Sequence, residues 1–396
     1  MSTNSPIERY SATHRSSFRE PLSMKIIDAI SLPRPQDNER LPKPPLLVPL
    51  RKSTQPKTST KASGGGVSTT AAGPIAARQQ SRHKHCTEQE LKRLTGAFYT
   101  VENPFVHPAF AGWARKAELR RREILEPFAG SNRLIRHLRK MDLCRRFASF
   151  DIFPASVDVQ QRDTLKSFPT GYGVCITNPP WLARNSASKR RLPFPATRYD
   201  NLYKHCLDKC LNHCDWVAAI IPESFLRADV FLDRLQHCIS LPNRLFRDTG
   251  HPACLALFGP EQSTDALVWT GTKRVGWLNE LIDLRPKPRK DGCAIRFNER
   301  NGNVGLIALD NTVGPSIRFC KVEELAHYNV KHSGRHITKI HVDSRLAVDR
   351  WNLEIYEFRR NTKDVLMTCY KGVRQDGMYR RRLDWQLARG IIHNCE

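Results

Sequence analysis

The chain is 396 residues long, enough for two domains of ordinary size and a tail. It carries 64 Lys and Arg against 39 Asp and Glu, a formal charge of +25. That excess argues against an acidic-surfaced metabolic enzyme and for a polyanionic partner, nucleic acid or an anionic membrane. No run of about 18 apolar residues occurs, and the first residues lack the apolar core of a secretory signal, so no membrane span is expected.

Residues 32–85 are rich in Pro, Ser, Thr, Gly and Lys, with too few apolar groups to offset the entropy of ordering. A disordered basic arm is expected over 1–86, and folded structure from Thr87, a possible helix N-cap with Glu90 three residues on. Strand and helix patterns then alternate. ILEPFAG (124–130) and FASFDIF (147–153) are short apolar runs, and between them Leu134, Ile135, Leu138 and Met141 recur at helical spacing. GVCITNPPW (173–181) reads as a buried strand, 201–214 as a helix and WVAAIIP (216–222) as a strand. VFLDRLQHCI (230–239) reads as a helix, and 254–259 with 264–271 as a closing pair of strands. Such alternation predicts a doubly wound, mostly parallel α/β sheet with its site at the carboxyl ends of the strands. The alternation is lost over 272–396.

Asn178-Pro179-Pro180-Trp181 follows the GVCIT strand directly and so should sit at its tip. The prolines remove donors and fix φ, which holds carbonyls outward. The Asn178 side-chain oxygen and the Pro179 carbonyl can then accept both hydrogens of one NH2 group, while Trp181 offers a flat face for stacking. This set suits an amino group on a planar ring; the bland alternative is a Pro-Pro turn that ends a strand.

NPPW at a strand end is similar to the catalytic motif of amino-methyltransferases that use S-adenosylmethionine. Gly96-Ala97-Phe98-Tyr99-Thr100 resembles the opening element of the DNA adenine-N6 methyltransferases of restriction–modification type, and Glu126-Pro127-Phe128-Ala129-Gly130-Ser131 resembles their cofactor loop. The order of these elements, followed by a long C-terminal segment, resembles the family's gamma arrangement over about residues 92–260. The resemblance implies a Rossmann-like, doubly wound class I methyltransferase sheet over 87–271 and a target recognition domain over 272–396. It implies S-adenosyl-L-methionine as cofactor, with no metal, and methyl transfer to N6 of an adenine flipped out of double-stranded DNA. A companion restriction endonuclease is a possible partner.

On this resemblance Asn178, Pro179, Pro180 and Trp181 are the catalytic residues. Phe98, Tyr99, Thr100, Glu126, Pro127, Ala129, Gly130, Asp151, Ile152 and Asp163 line the cofactor. Gly130 lets backbone approach the methionine portion, and Ser131 begins a helix whose N-terminus favours its carboxylate. Asp151, at the end of the second strand, is placed to accept both ribose hydroxyls. Asp163 would accept from the cofactor's adenine amino group, and Ile152 with Phe153 would pack against that ring. Phe246, with His251 behind it, is the candidate second aromatic that holds the target base against Trp181. Three positions depart from the family pattern: Asn132 stands where a second Gly is common, Val101 replaces a Pro, and Trp181 replaces the commoner Tyr or Phe.

Lys189, Arg190 and Arg191 follow NPPW in a loop expected to face the target, which favours phosphate contact over mere solvation. Arg380, Arg381 and Arg382 in the basic C-terminal segment are the second DNA-binding cluster, and the nearby Trp277, Trp351 and Trp385 are expected in its core. Cys206, Cys210 and Cys214, at i, i+4, i+8 on one helix, read as a core stripe rather than a zinc site. The 12 Cys have no scaffold spacing, so a reducing, cytoplasmic compartment is expected, nucleoid-associated in a bacterium or phage. Rival readings are transfer to RNA adenine N6 or protein glutamine N5, or a non-catalytic nucleic-acid-binding protein that retains the fold.

Overall fold

A computed structural model of the chain describes Thr100, residues 102–246 and residues 250–396. The arm expected over 1–86, the helix expected from Thr87, and Phe98, Tyr99 and Val101 lie outside the described residues.

Helix α1 (Pro108–Lys116), absent from the expectations, starts where His107 caps it. Its Nδ1 accepts from the Ala109 amide at 3.0 Å, and Pro108 takes the first position, where no donor is needed. Strand β1 (Glu123–Glu126), helix α2 (Arg133–Lys140), strands β2 (Arg146–Asp151), β3 (Gln160–Gln161) and β4 (Val174–Thr177), short helix α3 (Arg184–Lys189), helix α4 (Leu202–His213) and strand β5 (Trp216–Pro222) follow. Leu134, Ile135 and Leu138 are the buried face of α2. Cys206, Cys210 and Cys214 are buried along α4 and its end.

The segment expected as a helix over 230–239 is instead strand β6 (Leu235–Ser240), entered by a single 3-10 turn at 232–234. Phe231, in the left-handed region at φ 60, breaks any helix before it starts. A register shift between Leu235 and His237 against strand β7 (Ala253–Phe258) marks a bulge. The bulge puts Leu235, Cys238 and Ile239 in the core together, a spacing of three and four residues that imitates a helix. Strands β8 (Leu267–Thr270) and β9 (Lys273–Trp277) complete the sheet, which runs past the boundary expected at 271. The closing pair expected from 254–259 and 264–271 does not form, because β6 lies between β7 and β8.

The nine strands run in the order β3-β2-β1-β4-β5-β7-β6-β8-β9. β3, β2, β1, β4 and β5 pair in parallel, and β7 is antiparallel to both β5 and β6. This is a Rossmann-like, doubly wound α/β sheet with an antiparallel strand β7. β1 and β4 are the central parallel strands, and their near-continuous burial is what two covered faces require.

Beyond it come helix α5 (Leu278–Asp283), strands β10 (Ile295–Phe297), β11 (Val304–Ile307), β12 (Arg318–Cys320) and β13 (Ile337–Val342), helix α6 (Val348–Thr362), the hairpin β14 (Thr368–Val373) and β15 (Tyr379–Arg382), and helix α7 (Trp385–Asn394). The four strands from β10 to β13 form an antiparallel sheet, and α6 packs on β12 through Trp351 against Phe319, with ring centroids 5.3 Å apart. Trp351 is buried and Trp385 stacks on Phe297, whereas Trp277 is solvent-facing rather than core. Among the described residues no helix is long and apolar enough to cross a membrane.

Asp310, fully buried, ties the hairpin to this sheet. Arg359 donates to its two oxygens at 2.8 and 2.9 Å, and Arg374 adds a third bond at 2.9 Å. Burial opposes the charge of Asp310, but the Arg359 guanidinium outweighs it and holds the carboxyl below its ordinary value. Asp310→Asn should therefore cost about 3–5 kcal/mol in urea unfolding, because two guanidinium groups lose their shared buried partner. A loss below about 1 kcal/mol, the range of exposed pairs, would mean that water replaces the carboxylate.

Candidate active site

Parallel pairing of β1 with β2 and β4 brings three strand tips to one edge. At the tip of β1, Glu126 is followed by a loop whose Ala129 amide donates to the Phe150 carbonyl at 2.9 Å. Gly130 has φ 51, a left-handed turn that glycine adopts without strain. Its amide donates to Asp151 Oδ2 at 2.7 Å, across to the tip of β2. The Phe153 amide donates to Asp151 Oδ1 at 2.8 Å, and Ile152 and Phe153 are about half exposed beside it.

Asn132, the departure from the family pattern, is also left-handed at φ 59 and wholly buried. Its side chain accepts from Ser149 Oγ at 2.9 Å and donates to Asp158 Oδ2 at 2.8 Å. Asn tolerates this backbone better than other side chains do, and here the amide also ties the loop to β2 and to the segment after it. Ser149 and Asp158 went unnoticed in the sequence, since only the misfit of Asn132 hinted that it needed partners.

Thr164 Oγ1 donates to the Pro127 carbonyl at 2.9 Å, which sets the Asp163 turn beside the loop. Asp163 itself accepts from the Leu165 and Lys166 amides and lies 3.4 Å from Lys166 Nζ. Burial, then the neighbouring Asp151 charge, raises the Glu126 carboxyl well above its ordinary value. Burial raises Asp151 too, opposed by the amides of Phe153, Gly130 and Ile152. Glu126 Oε2 and Ser131 Oγ are buried with no hydrogen-bond partner among the described residues. The loop thus carries unmet polar atoms, a left-handed glycine and a half-exposed apolar shelf, which fits a nucleoside cofactor with a polar amino-acid tail.

At the tip of β4, Asn178 Oδ1 and Pro179 are buried and Trp181 follows. Phe246 meets Trp181 edge to face, with centroids 5.2 Å apart and planes at 72°. Phe246 also bridges to Thr100, whose carbonyl accepts from Arg133 Nη1 at 3.1 Å. The structure therefore brings together Thr100, Trp181 and Phe246, while His251 is exposed.

The expected cations divide. Lys189, Arg190 and Arg191 are exposed at the end of α3. The triplet on β15 is split by strand alternation. Arg380 and Arg382 are half-exposed, and Arg380 lies over the Tyr370 ring at 5.2 Å. Arg381 points inward and donates to Glu223 Oε2 at 2.6 Å, so the reading of all three as one DNA-binding cluster is corrected: Arg381 cannot reach a phosphate.

No family model matches the sequence, and no curated protein does. Solved structures that resemble the chain include a protein of Listeria monocytogenes described as a class I S-adenosylmethionine-dependent methyltransferase, 12% identical over 50% of this chain and 71% of that one, TM-score 0.34. The methyltransferase subunit of a type I restriction–modification system of Streptococcus thermophilus is 15% identical over 47% of this chain and 50% of its own length, TM-score 0.30. The M protein of the type I restriction enzyme EcoKI is 13% identical over 76% and 70%, TM-score 0.31. The chain spans only half the length of the Streptococcus subunit. Likeness at this level carries no argument about activity, and the fold assignment rests on the strand order.

Asn132→Gly keeps the left-handed backbone and loses two hydrogen bonds, an expected cost of about 1–3 kcal/mol in denaturant unfolding. Asn132→Ala should cost a further 1 kcal/mol or so, because alanine disfavours positive φ. An alanine variant as stable as the glycine variant would mean that the loop relaxes out of the left-handed region.

Proposed function

We propose that the chain is an S-adenosylmethionine-dependent methyltransferase that acts on N6 of adenine in double-stranded DNA. The observation that carries this reading is Asn178-Pro179 at the tip of β4 beside the Trp181–Phe246 pair, on the same sheet edge as the Gly130–Asp151 loop. Asp151 would hold the ribose hydroxyls, Gly130 with Glu126, Pro127 and Ala129 the methionine portion, and Ile152 with Asp163 the adenine; the motif resemblance gives Phe98, Tyr99 and Thr100 the lining of the methionine and adenine side. When bound, the cofactor supplies an electrophilic sulfonium methyl group.

The chain's own work is on the amine. An adenine N6 lone pair is delocalised into the ring and attacks poorly. Asn178 Oδ1 and the Pro179 carbonyl accept its two hydrogens, which draws the nitrogen toward tetrahedral geometry and relocalises the lone pair. The same fixed acceptors stabilise the positive charge that then develops on nitrogen. Pro180 keeps this loop stiff. Trp181 takes the extruded ring on its face, which offsets part of the unstacking cost of a few kcal/mol. A ring held between two parallel faces needs about 7 Å, twice the carbon contact distance, so a base stacking on Trp181 has to displace the Phe246 edge.

On this reading the catalytic domain, expected over 87–271, extends through β9 to Trp277, and target recognition lies in the segment after it. Lys189, Arg190, Arg191, Arg380 and Arg382 contact phosphates, and a companion endonuclease would share the recognition site. Incubation with labelled cofactor and DNA, RNA or protein, followed by nucleoside and amino-acid analysis, tests the assignment. Label in N6-methyladenine from DNA supports it, whereas label in RNA or in glutamine moves it to another substrate.

Asn178→Ala should raise the barrier to transfer by about 2–4 kcal/mol with cofactor affinity nearly unchanged, as single-turnover kinetics and calorimetry would report. Asp151→Ala should weaken cofactor binding by roughly 1–3 kcal/mol, since the ribose loses a charged acceptor and Gly130 its anchor. Unchanged affinity would put the ribose on another group.

A further inference from the structure

Glu223 opens the turn that follows β5 and is 1% exposed. Its amide donates to the Pro252 carbonyl at 3.0 Å, so it stands beside the end of the Phe246 loop. Ser240 Oγ donates to its Oε1 at 2.5 Å and Arg381 Nη1 to its Oε2 at 2.6 Å. Arg381 reaches in from β15, whose backbone is itself fixed: the Arg381 amide donates to Asp310 Oδ2 at 3.1 Å and its carbonyl accepts from the Asp310 amide at 3.0 Å.

Two further contacts join the same segments. Arg227 Nη1 donates to Thr368 Oγ1 and to Asp384 Oδ2, each at 3.1 Å. The Gly372 amide donates to the Gly250 carbonyl at 3.0 Å, a backbone approach so close that a Cβ at Gly250 would sit 3.1 Å from that nitrogen. The hairpin therefore lies directly against Gly250, just before β7.

A buried ion pair is a weak source of net stability compared with well-packed apolar side chains, but breaking it leaves an uncompensated charge. Among the described residues Arg381 is the cation paired with Glu223, whose other partners, Ser240 Oγ and Cys369 Sγ, are neutral. Any other seating of the hairpin leaves a buried carboxylate without its cation.

We infer that Glu223 and Arg381 are positioning residues, a clasp that seats the β14–β15 hairpin against the Gly250–Pro252 segment that leads into β7. Neither touches substrate. Their effect runs to the hairpin's contact with Gly250, where Lys371 also lies, and to Arg380 and Arg382, the neighbours of Arg381 on β15. The consequence for DNA rests on the function proposed above; the clasp itself does not.

The test uses the full chain with Glu223→Gln, Arg381→Met and the double variant, which removes both charges together and so avoids a lone buried ion. Amide exchange at Gly372 is read against exchange in β4. In the double variant protection at Gly372 should fall about tenfold or more while β4 stays protected. Cofactor affinity should match the parent, and kcat/KM for DNA methylation should fall roughly tenfold or more, mostly through KM, because the hairpin cations lose their fixed place. Parent-like protection at Gly372, or parent-like kcat/KM with the pair removed, overturns the clasp. A parent protein that methylates no DNA overturns the functional reading instead, and the exchange data then decide the clasp alone.

Discussion

The bond from the Gly130 amide to Asp151 Oδ2, 2.7 Å long, closes the first loop of the sheet onto its second strand. It can form only because β1 and β2 run in parallel with Glu126 opposite Ser149, which delivers both tips to one level. The same register places Leu125 beside Cys175 of β4, so Asn178 emerges on the same edge. Everything chemical about the molecule follows from that shared edge. Antiparallel pairing of any of the three would send one tip to the far side.

Crowding acidic groups at that edge has an electrostatic cost, and the loop meets it unequally. Glu126 is wholly buried with an unmet oxygen, and its carboxyl is driven toward the neutral form. Asp151 is less buried and accepts two amides, which favour its charge. The carboxyls that end two adjacent strands are thus both pushed up, Glu126 the further because fewer hydrogen bonds to the charged form oppose its burial. The neighbouring Asn132 shows the same economy: a residue at a glycine-like φ earns its place through Ser149 and Asp158.

The strands β1, β2, β4, β5 and β7 were legible as apolar runs because each is short, buried and bounded by turn residues. β6 was not, since one bulge gave Leu235, Cys238 and Ile239 the spacing of a helix, and its misreading hid the strand that separates β7 from β8. The C-terminal sheet was illegible for a different reason: β10 and β12 have three residues each, too few to show alternation. Phe246 beside Trp181 was legible as a candidate pairing, whereas its bridge to Thr100 was not. Nor were the partners of Asn132 and Arg381, because they are contacts between segments far apart in the chain.

Arg381 also shows why net charge overstates the surface available to a polyanion. Three arginines of the C-terminal segment, Arg359, Arg374 and Arg381, have side chains less than a tenth exposed and spend their charge on Asp310, Asp364, Asp376 and Glu223. They act as internal fasteners. The cations that face solvent are spread over many elements, among them Lys189, Arg190 and Arg191 after α3 and Lys273 and Arg274 on β9, while Arg380 and Arg382 on the hairpin are only partly exposed. Strand alternation is what converts a single run of arginines into both kinds at once. Arg381 turned inward fixes the hairpin, and that fixation gives the charges of its two neighbours a defined place, with Arg380 held over Tyr370 and donating to the Asp310 carbonyl. On the proposed reading, a phosphate backbone meets cations whose position is set by a buried one of the same chemical type.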